Sequence, residues 1–221
     1  KEEIKGIGLC GDSRFERALE NKKQDCNTSF LKSFIKDSFC LIAGSSWKKE
    51  EILLQKLLQD QPNFKLILAP HDISNTNIQS VLKRFSKFGI SCYSKKDFNT
   101  QDRIILIDSI GQLRYLYRLA DLALIGGGFG KGVHNTIEAI VYHIPVLFGP
   151  KRKKFPETEE MIQLGLAAEI QNSQDLEKAF LDFQHHKPQA AQFEDYIQSK
   201  LGASQKINAA INELLSTSER N

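Results

Sequence analysis

The chain has 221 residues, of which 41% are hydrophobic, and it carries a net charge of +3. This length supports one large domain or two small ones with a substantial core. So mild a charge, with basic residues dispersed in short clusters, gives no support for nucleic-acid binding, which usually shows as a clustered basic face. No apolar run approaches the ~18 residues of a membrane span, and the first residues lack a signal-peptide pattern. We therefore expect the chain itself to be soluble.

The four cysteines are Cys10, Cys26, Cys40 and Cys92, and no two of them have the Cys-x2-Cys spacing of a metal site. This usage predicts reduced and mostly packed thiols of a cytosolic protein. We accordingly expect no structural metal in this chain.

Short apolar runs alternate with helical patterns along most of the chain. The predicted pairs of strand and helix are 39–43 with 49–58, 64–69 with 78–88, 104–107 with 113–119, 122–125 with 137–142, and 146–148 with 157–164. A further strand-like run lies at 4–9, and helical patterns with one apolar face lie at 193–201 and 207–215. Because the strands are apolar throughout, they predict an α/β fold, a Rossmann-like parallel sheet with helices on both faces.

Polar and glycine-rich pieces follow the predicted strands, where a parallel sheet binds its ligands. These pieces are 44–46, 70–72, 108–111, 126–132 and 149–150. Because the carboxyl ends of parallel strands lie at the same edge of the sheet, we expect these loops to converge on one crevice.

The most informative of these loops is 126–132, which reads Gly-Gly-Gly-Phe-Gly-Lys-Gly and is followed by His-Asn-Thr-Ile-Glu at 134–138. Glycine permits positive φ and close approach of a ligand to the backbone, and the N–H groups and dipole at a helix start favour a phosphate. We expect Asn135 and Glu138 to share a helix face behind the loop, as polar anchors for a nucleotide.

Two better-known glycine motifs fit this loop poorly. A P-loop requires Ser or Thr after its lysine, but Gly132 follows Lys131, and Ile125 stands in the place of the first glycine. The dinucleotide fingerprint lacks its acidic residue at the end of the next strand. A glycine turn that only allows a helix to pack on the sheet remains as a structural alternative.

Six motifs occur here in one order and together resemble the C-terminal lobe of the 3-deoxy-D-manno-octulosonic acid (Kdo) transferases of lipopolysaccharide synthesis. They are Gly-Asp-Ser-Arg-Phe at 11–15, Gly-Ser-Ser at 44–46 before Glu50 and Glu51, Asp-Ser-Ile-Gly at 108–111, Tyr-Arg-Leu-Ala-Asp at 117–121, the loop 126–138, and Pro-Val-Leu-Phe-Gly-Pro at 145–150. The resemblance covers about residues 11–168.

The resemblance implies the C-terminal lobe of a GT-B glycosyltransferase. In that family two Rossmann-like lobes face each other across the active site. Residues 1–15 would end the junction between the lobes, 16–188 would form the Rossmann-like domain that binds the nucleotide sugar CMP-Kdo, and 189–221 would be C-terminal helices packing across the lobe. The full-length enzyme would transfer Kdo from CMP-Kdo to a lipid A precursor, with inversion and without a metal or other cofactor.

The resemblance also implies that the other lobe, with the acceptor site, the general base and the membrane-associating region, lies before Lys1, at the cytoplasmic face of the bacterial inner membrane. We therefore assign no catalytic residue to this chain and expect it to be inactive alone. The implied donor-binding residues are Ser45, Ser46, His71, Ile110, Gly111, Gly127, Gly128, Gly130, Lys131, Gly132, Asn135 and Glu138.

Within that set, the resemblance implies that Asn135 lies beside the CMP phosphate. It also implies that Glu138 accepts hydrogen bonds from the ribose hydroxyls, for which a carboxylate is a good acceptor. Trp47 stands where the family often has His, and Pro70 stands where it has Arg, so a basic contact to the base is missing. Trp47 could stack on a ligand or cover the core. The alternatives are the donor lobe of another GT-B enzyme or nucleotide-sugar epimerase, and a non-enzymatic nucleotide-binding module.

Overall fold

A computed structural model of the protein describes residues 11–24, 26, 28–96 and 98–218, with side chains as far as residue 212. The predicted strand at 4–9 and Cys10 lie outside the described residues. Of the other cysteines, Cys40 and Cys92 are buried and Cys26 is half-buried, and all three are free thiols.

The described residues form one sheet of seven parallel strands, in the order β3-β4-β2-β1-β5-β6-β7. The strands are β1 (Phe39–Ser46), β2 (Phe64–Pro70), β3 (Ile90–Cys92), β4 (Ile104–Leu106), β5 (Leu122–Ile125), β6 (Val146–Phe148) and β7 (Ala167–Glu169). The sequence predicted β1, β2, β4, β5 and β6. The two edge strands, β3 and β7, were not predicted, because each has three residues and neither is apolar throughout.

Ten helices accompany the sheet in the described part of the chain. They are α1 (Ser13–Lys23), α2 (Ser29–Ile35), α3 (Lys48–Asp60), α4 (Asn75–Phe85), α5 (Leu113–Leu116), α6 (Ile137–Ile140), α7 (Pro156–Gln163), α8 (Ser173–His185), α9 (Ala190–Lys200) and α10 (Ala203–Ser218). The sequence analysis did not predict α1, α2 or α8. Helix α1 begins at Ser13, so the domain boundary expected after residue 15 falls inside a helix whose Phe15 is buried.

The core is divided into two layers, one on each face of the sheet. Successive residues of β1 alternate between them: Cys40 and Ile42 pack with α1, α2, α5, α6, α7 and α9, whereas Leu41 and Ala43 pack with α3, α4 and α8. Strands buried on both faces are apolar throughout, which is the pattern read from the sequence. The predicted fold class is therefore confirmed.

The central pairing of the sheet is between β1 and β5. Leu41 pairs with Leu122 and Gly44 pairs with Ile125, while β2 lies on the other side of β1. The chain reverses its winding direction between β1 and β5, and such a switch point opens a crevice at the carboxyl ends of the strands.

The two C-terminal helices differ in how they contact this body. Helix α9 buries Phe193, Tyr196 and Ile197, and the Tyr196 ring meets the edge of Phe15 at a centroid distance of 5.7 Å. Helix α10 buries Ala203, but its described side chains beyond that residue are exposed, including Ile207 and Ile211. No described helix is both long enough and apolar enough to cross a membrane.

Candidate functional site

The loops at the carboxyl ends of β1, β2, β5 and β6 are joined to one another by backbone hydrogen bonds. The His71 N–H donates to Ser46 O at 2.9 Å, and the Gly126 N–H donates to Gly44 O at 2.8 Å. The loop after β6 is held in the same way, because the Lys151 N–H donates to Gly128 O at 2.8 Å. The predicted convergence of these loops on one edge of the sheet is confirmed.

The first glycines of the loop 126–132 are required by close packing of backbone on backbone. A Cβ at Gly126 would lie 2.0 Å from Ser45 O, and a Cβ at Gly128 would lie 2.5 Å from Gly149 N. Gly127 also has a φ of +88°, a conformation that residues with side chains rarely adopt. By contrast, a Cβ at Gly130 would have Gly127 O as its nearest neighbour, at an ordinary contact distance of 3.6 Å.

Several N–H groups of the loop already have acceptors. The Gly127 N–H donates to Glu50 Oε1 at 2.8 Å, and the N–H groups of Gly130 and Gly132 both donate to Gly127 O. In the described part of the chain, the N–H groups of Gly128, Phe129 and Lys131 have no acceptor. Of the N–H groups that we expected to face a phosphate, at 128–132, those of Gly130 and Gly132 are therefore already paired within the loop.

The helix behind the loop is also shorter than the sequence predicted. Helix α6 has four residues, because the chain turns at His143, with a φ of +62°, ahead of Pro145. Asn135 precedes this helix, and its Oδ1 accepts from the Ile137 N–H at 3.1 Å. The prediction that Asn135 and Glu138 share a helix face is wrong, because Asn135 precedes the helix, and a helix dipole contributes less here than we expected.

A first cavity, of about 210 Å³, lies beyond the ends of β1, β2 and β4, and we call it the Ile110 cavity. Four predicted site residues line it, and Ile110 is 81% exposed at its mouth. Ser45 has a φ of +52° and lies at a bulge between β1 and β2; bulges re-aim side chains beside functional sites. The predicted residues here are Ser45, His71, Ile110 and Gly111.

A second cavity, of about 400 Å³, lies against the glycine loop, and we call it the Trp47 cavity. Its lining contains His71, Gly127, Gly130, Lys131 and Gly132 from the predicted set. Residues outside that set complete it: Trp47, Lys49, Glu50, Phe129 and His134.

Three rings of the Trp47 cavity form a continuous stack. The centroids of Trp47 and His71 lie 4.5 Å apart and those of His71 and His134 lie 4.6 Å apart, with interplanar angles of 23° and 25°. The Trp47 indole N–H donates to His134 Nε2 at 3.3 Å. Burial, together with the neighbouring His71, lowers the pKa of His134, so the neutral ring that this hydrogen bond requires is favoured.

A third cavity, of about 300 Å³, contains Asn135 and Glu138, and we call it the Glu138 cavity. Burial raises the pKa of Glu138, and a hydrogen bond from Asn135 and the charges of Arg114 and Arg17 oppose that rise. The two side chains predicted to act together are thus in contact. Sequence reasoning missed both arginines: Arg17 lies on the unpredicted helix α1, and Arg114 belongs to no recognised motif.

The three cavities are parts of one crevice. The Ile110 and Trp47 cavities share His71, the Trp47 and Glu138 cavities meet at the consecutive residues His134 and Asn135, and the Glu138 and Ile110 cavities meet at Arg114 and Leu113. All the predicted site residues except Ser46 and Gly128 line this crevice.

These two exceptions have packing roles instead. Ser46 is 2% exposed, and its hydroxyl donates to Glu51 at 3.4 Å. Glu51 is buried and forms an ion pair with Arg84, and burial raises its pKa in spite of that partner. Gly128 is buried against Gly149. The Ser46 hydroxyl is therefore engaged within the fold, and the donor-binding role given to Ser46 stays a prediction.

A larger cavity, of about 690 Å³, lies at the opposite edge of the sheet, where the strands begin. Phe39, Phe64, Arg103 and Asp121 are among its lining residues. It contains none of the glycine loops or strand-end residues, and parallel sheets bind ligands at the other edge. We therefore place the candidate site in the crevice at the carboxyl edge of the sheet.

No family model matches the chain, but several curated proteins do. A bifunctional glycosyltransferase/methyltransferase of Fusobacterium nucleatum is 26% identical over 195 residues, which are 85% of this chain and 30% of that protein. The 3-deoxy-D-manno-octulosonic acid transferase of Aquifex aeolicus is 32% identical over 142 residues, 62% of this chain and 39% of the enzyme. The 3-deoxy-D-manno-octulosonic acid transferase of Haemophilus influenzae is 32% identical over 127 residues, which are 55% of this chain and 30% of that enzyme. The chain thus spans about a third of the length of these relatives.

Solved structures agree in fold. The C-terminal CMP-Kdo binding domain of WaaA from Acinetobacter baumannii has a TM-score of 0.63 at 18% identity, covering 86% of this chain and 96% of that one. A UDP-N-acetylglucosamine 2-epimerase has a TM-score of 0.60 at 14% identity, covering 100% of this chain and 54% of the epimerase. Together with the sequence relatives, these matches confirm the resemblance to the C-terminal lobe of the Kdo transferases.

Proposed function

We propose that this chain is the donor-binding lobe of a glycosyltransferase that moves Kdo from CMP-Kdo to a lipid A precursor. The observation that carries the proposal is the pair Asn135 and Glu138, in contact with each other at the carboxyl edge of the sheet and within the ordered motifs shared with the Kdo transferases. Binding of a nucleotide at this edge is the usual arrangement in open α/β sheets.

The ribose of CMP contacts Glu138 in this proposal. Ionised, this carboxylate accepts hydrogen bonds from two vicinal hydroxyls, and such bonds to a charged group are stronger than neutral ones. The base then points into the Ile110 cavity, where Ser45, Ile110 and Gly111 line the wall. The phosphate lies between the cavities, near His134 and Asn135, with the unpaired N–H groups of Phe129 and Lys131 on the loop beside it.

The reaction is a single displacement in which the acceptor hydroxyl attacks the anomeric carbon of Kdo and CMP leaves. Negative charge grows on the departing phosphate, and backbone N–H groups already oriented toward it, with the Lys131 ammonium, stabilise that charge. The attacking hydroxyl requires a general base, which we assign to the acceptor-binding lobe of the full-length enzyme. We propose that this other lobe also binds the lipid acceptor at the cytoplasmic face of the inner membrane.

The proposal is tested by calorimetry of the purified chain with CMP, UMP and UDP. We expect CMP to bind more tightly than UMP and UDP, and we expect no Kdo transfer by the chain alone. A preference for UDP would favour the donor lobe of another GT-B enzyme or an epimerase, and no nucleotide binding at all would overturn the proposal.

The role of Glu138 is tested by Glu138→Ala. Hydrogen bonds to a charged group contribute about 1.5 to 3 kcal/mol, so we expect CMP affinity to fall roughly tenfold to a hundredfold. Binding of inorganic phosphate should stay unchanged, because the phosphate site lies elsewhere on the crevice. Glu20→Ala on α1 removes an exposed glutamate outside the crevice and serves as the control. Equal losses of CMP and phosphate binding in Glu138→Ala would contradict this arrangement.

A further inference from the structure

Trp47 is fixed in place although it does not belong to the core. Its indole is 43% exposed, and neither layer of the hydrophobic core contains it. The ring is nevertheless held by its stack on His71 and its hydrogen bond to His134, and the Trp47 backbone N–H donates to Glu50 Oε2 at 3.2 Å. Of the two roles that the sequence left open, covering the core is therefore excluded.

The chemistry of the Trp47 cavity combines aromatic walls with positive charge. Phe129 lines the cavity together with Trp47, and the Lys49 ammonium lies 4.8 Å from the centroid of the Phe129 ring. Lys131 is exposed on the same lining. Aromatic faces attract C–H groups and exclude water, while the two ammonium groups attract an anion. A saturated ring that carries a carboxylate satisfies both features.

The connectivity of a nucleotide sugar decides which part of it reaches this cavity. This step rests on the proposed function, which puts the ribose at Glu138 and the phosphate near His134 and Asn135. Asn135 lines the Glu138 cavity, and the preceding residue, His134, lines the Trp47 cavity. The group beyond the phosphate is the transferred sugar, so the sugar, and not the base, meets Trp47.

We propose that the Trp47 cavity is the subsite for the sugar acid of the donor. Trp47 stacks against the apolar C–H face of the pyranose ring, Phe129 forms the opposite part of the wall, and Lys49 and Lys131 face the carboxylate. Trp47 and Lys49 are thereby specificity residues that select an acidic sugar over a neutral one.

Trp47 is the only tryptophan of the chain, so its fluorescence reports directly on this cavity. We expect free Kdo to change the Trp47 emission in a saturable way, whereas mannose at the same concentrations changes it much less and cytidine leaves it unaltered. Calorimetry under the same conditions gives the affinities. An equal response to cytidine would make this cavity the base site, and Kdo binding without a change in emission would place the sugar elsewhere; either result overturns the proposal, as does the absence of any Kdo binding.

Variants separate the contribution of the aromatic rings to Kdo binding from that of the lysine charges. Trp47→Leu, followed by calorimetry, and Phe129→Leu, which keeps the fluorophore, should each weaken Kdo binding about threefold to tenfold. Lys49→Met should weaken Kdo binding and leave mannose unchanged, and Lys56→Met, which removes an exposed lysine on the same helix, is its control. If Trp47→Leu does not fold, the Kdo affinity of Phe129→Leu still tests the contribution of the aromatic wall. Unaltered affinities in both aromatic variants would refute the stacking role.

The two proposals can fail separately. A chain that binds Kdo at Trp47 but does not bind CMP would overturn the proposed function and retain the sugar subsite. A chain that binds CMP normally, with no response of Trp47 to Kdo, would retain the proposed function and remove the subsite.

Discussion

The two halves of the glycine loop contain the same residue type for different reasons. In the first half, side chains at Gly126 and Gly128 would collide with the backbone of neighbouring loops at 2.0 and 2.5 Å. In the second half, Gly132 has a φ of +137°, which residues with side chains rarely adopt, whereas Gly130 is exposed and a Cβ there would make only an ordinary contact. Close packing of backbone on backbone thus explains the glycines at positions 126 and 128, whereas neither packing nor backbone conformation requires the glycine at position 130.

The largest effect is expected from Gly126→Ala. The added methyl group would overlap Ser45 O, and because backbone atoms cannot rotate away, two strand ends must separate. We expect the free energy of unfolding to fall by about 3 kcal/mol or more, at the upper end of overpacking costs, as measured by urea denaturation. Gly130→Ala is the matched control. A loss in Gly126→Ala no larger than that in the control would remove the distinction between the two halves.

A smaller effect is expected from Glu50→Gln, which alters the anchor of the first half. Glu50 is 1% exposed and accepts the N–H groups of both Gly127 and Trp47. The amide has one acceptor oxygen in place of two, so one buried N–H loses its partner at a cost of about 1 to 3 kcal/mol. Denaturation would measure this loss against Glu20→Gln, an exposed change on α1. Unchanged stability would mean that the loop is held without Glu50.

Unlike Gly126→Ala and Glu50→Gln, Glu138→Gln should not lower the stability of the fold. Burial raises the pKa of Glu138 above its ordinary value of 4.5, so the folded protein binds this proton more tightly than the unfolded chain does. The associated stability is present below the ordinary pKa and is lost as the pH rises through the raised pKa. At pH 7 the amide avoids this cost, and we expect Glu138→Gln to melt no lower than the parent and to bind CMP more weakly. A lower melting temperature at pH 7 would contradict this expectation.

The smallest change in stability is expected from Gly130→Ala, within about 0.5 kcal/mol, as is usual for exposed positions. We nevertheless expect its CMP affinity to fall, because Gly130 lines the Trp47 cavity next to the position that we propose for the phosphate. Calorimetry and denaturation of the same preparation test both statements. If CMP binding is unaffected, the second half of the loop does not approach the donor.

The layers of the fold could be predicted because burial on both faces of a strand leaves a clear pattern. The apolar runs of β1 and β5 were sufficient by themselves to predict these two strands. Edge strand β7, by contrast, reads Ala-Ala-Glu, and it is a strand because β6 lies beside it. Helix α1 has a polar sequence with only Phe15 and Ala18 buried, so its helical character depends on packing that local propensity does not encode.

Residues that line the crevice were predictable where backbone conformation demands a particular residue type, as at Gly127, or where a motif occurs as a unit, as at Asn135 and Glu138. The hydrogen bonds of the loop were not predictable, because they depend on Glu50, a residue 77 positions away in sequence. Arg17 and Arg114 reach Glu138 from two different helices. Such convergence is a property of the tertiary structure, and no local pattern signals it.

The pairing of β1 with β5 has a consequence for how the crevice is assembled during folding. The Cys40 N–H donates to Asp121 Oδ2 across a separation of 81 residues, and contacts between segments so distant in sequence form slowly. During synthesis on the ribosome, one wall of the crevice is absent until the chain has been made through Ile125. A shorter nascent chain leaves the edge of β1 unpaired, with the hydrogen-bonding groups of an apolar strand open to association with other chains.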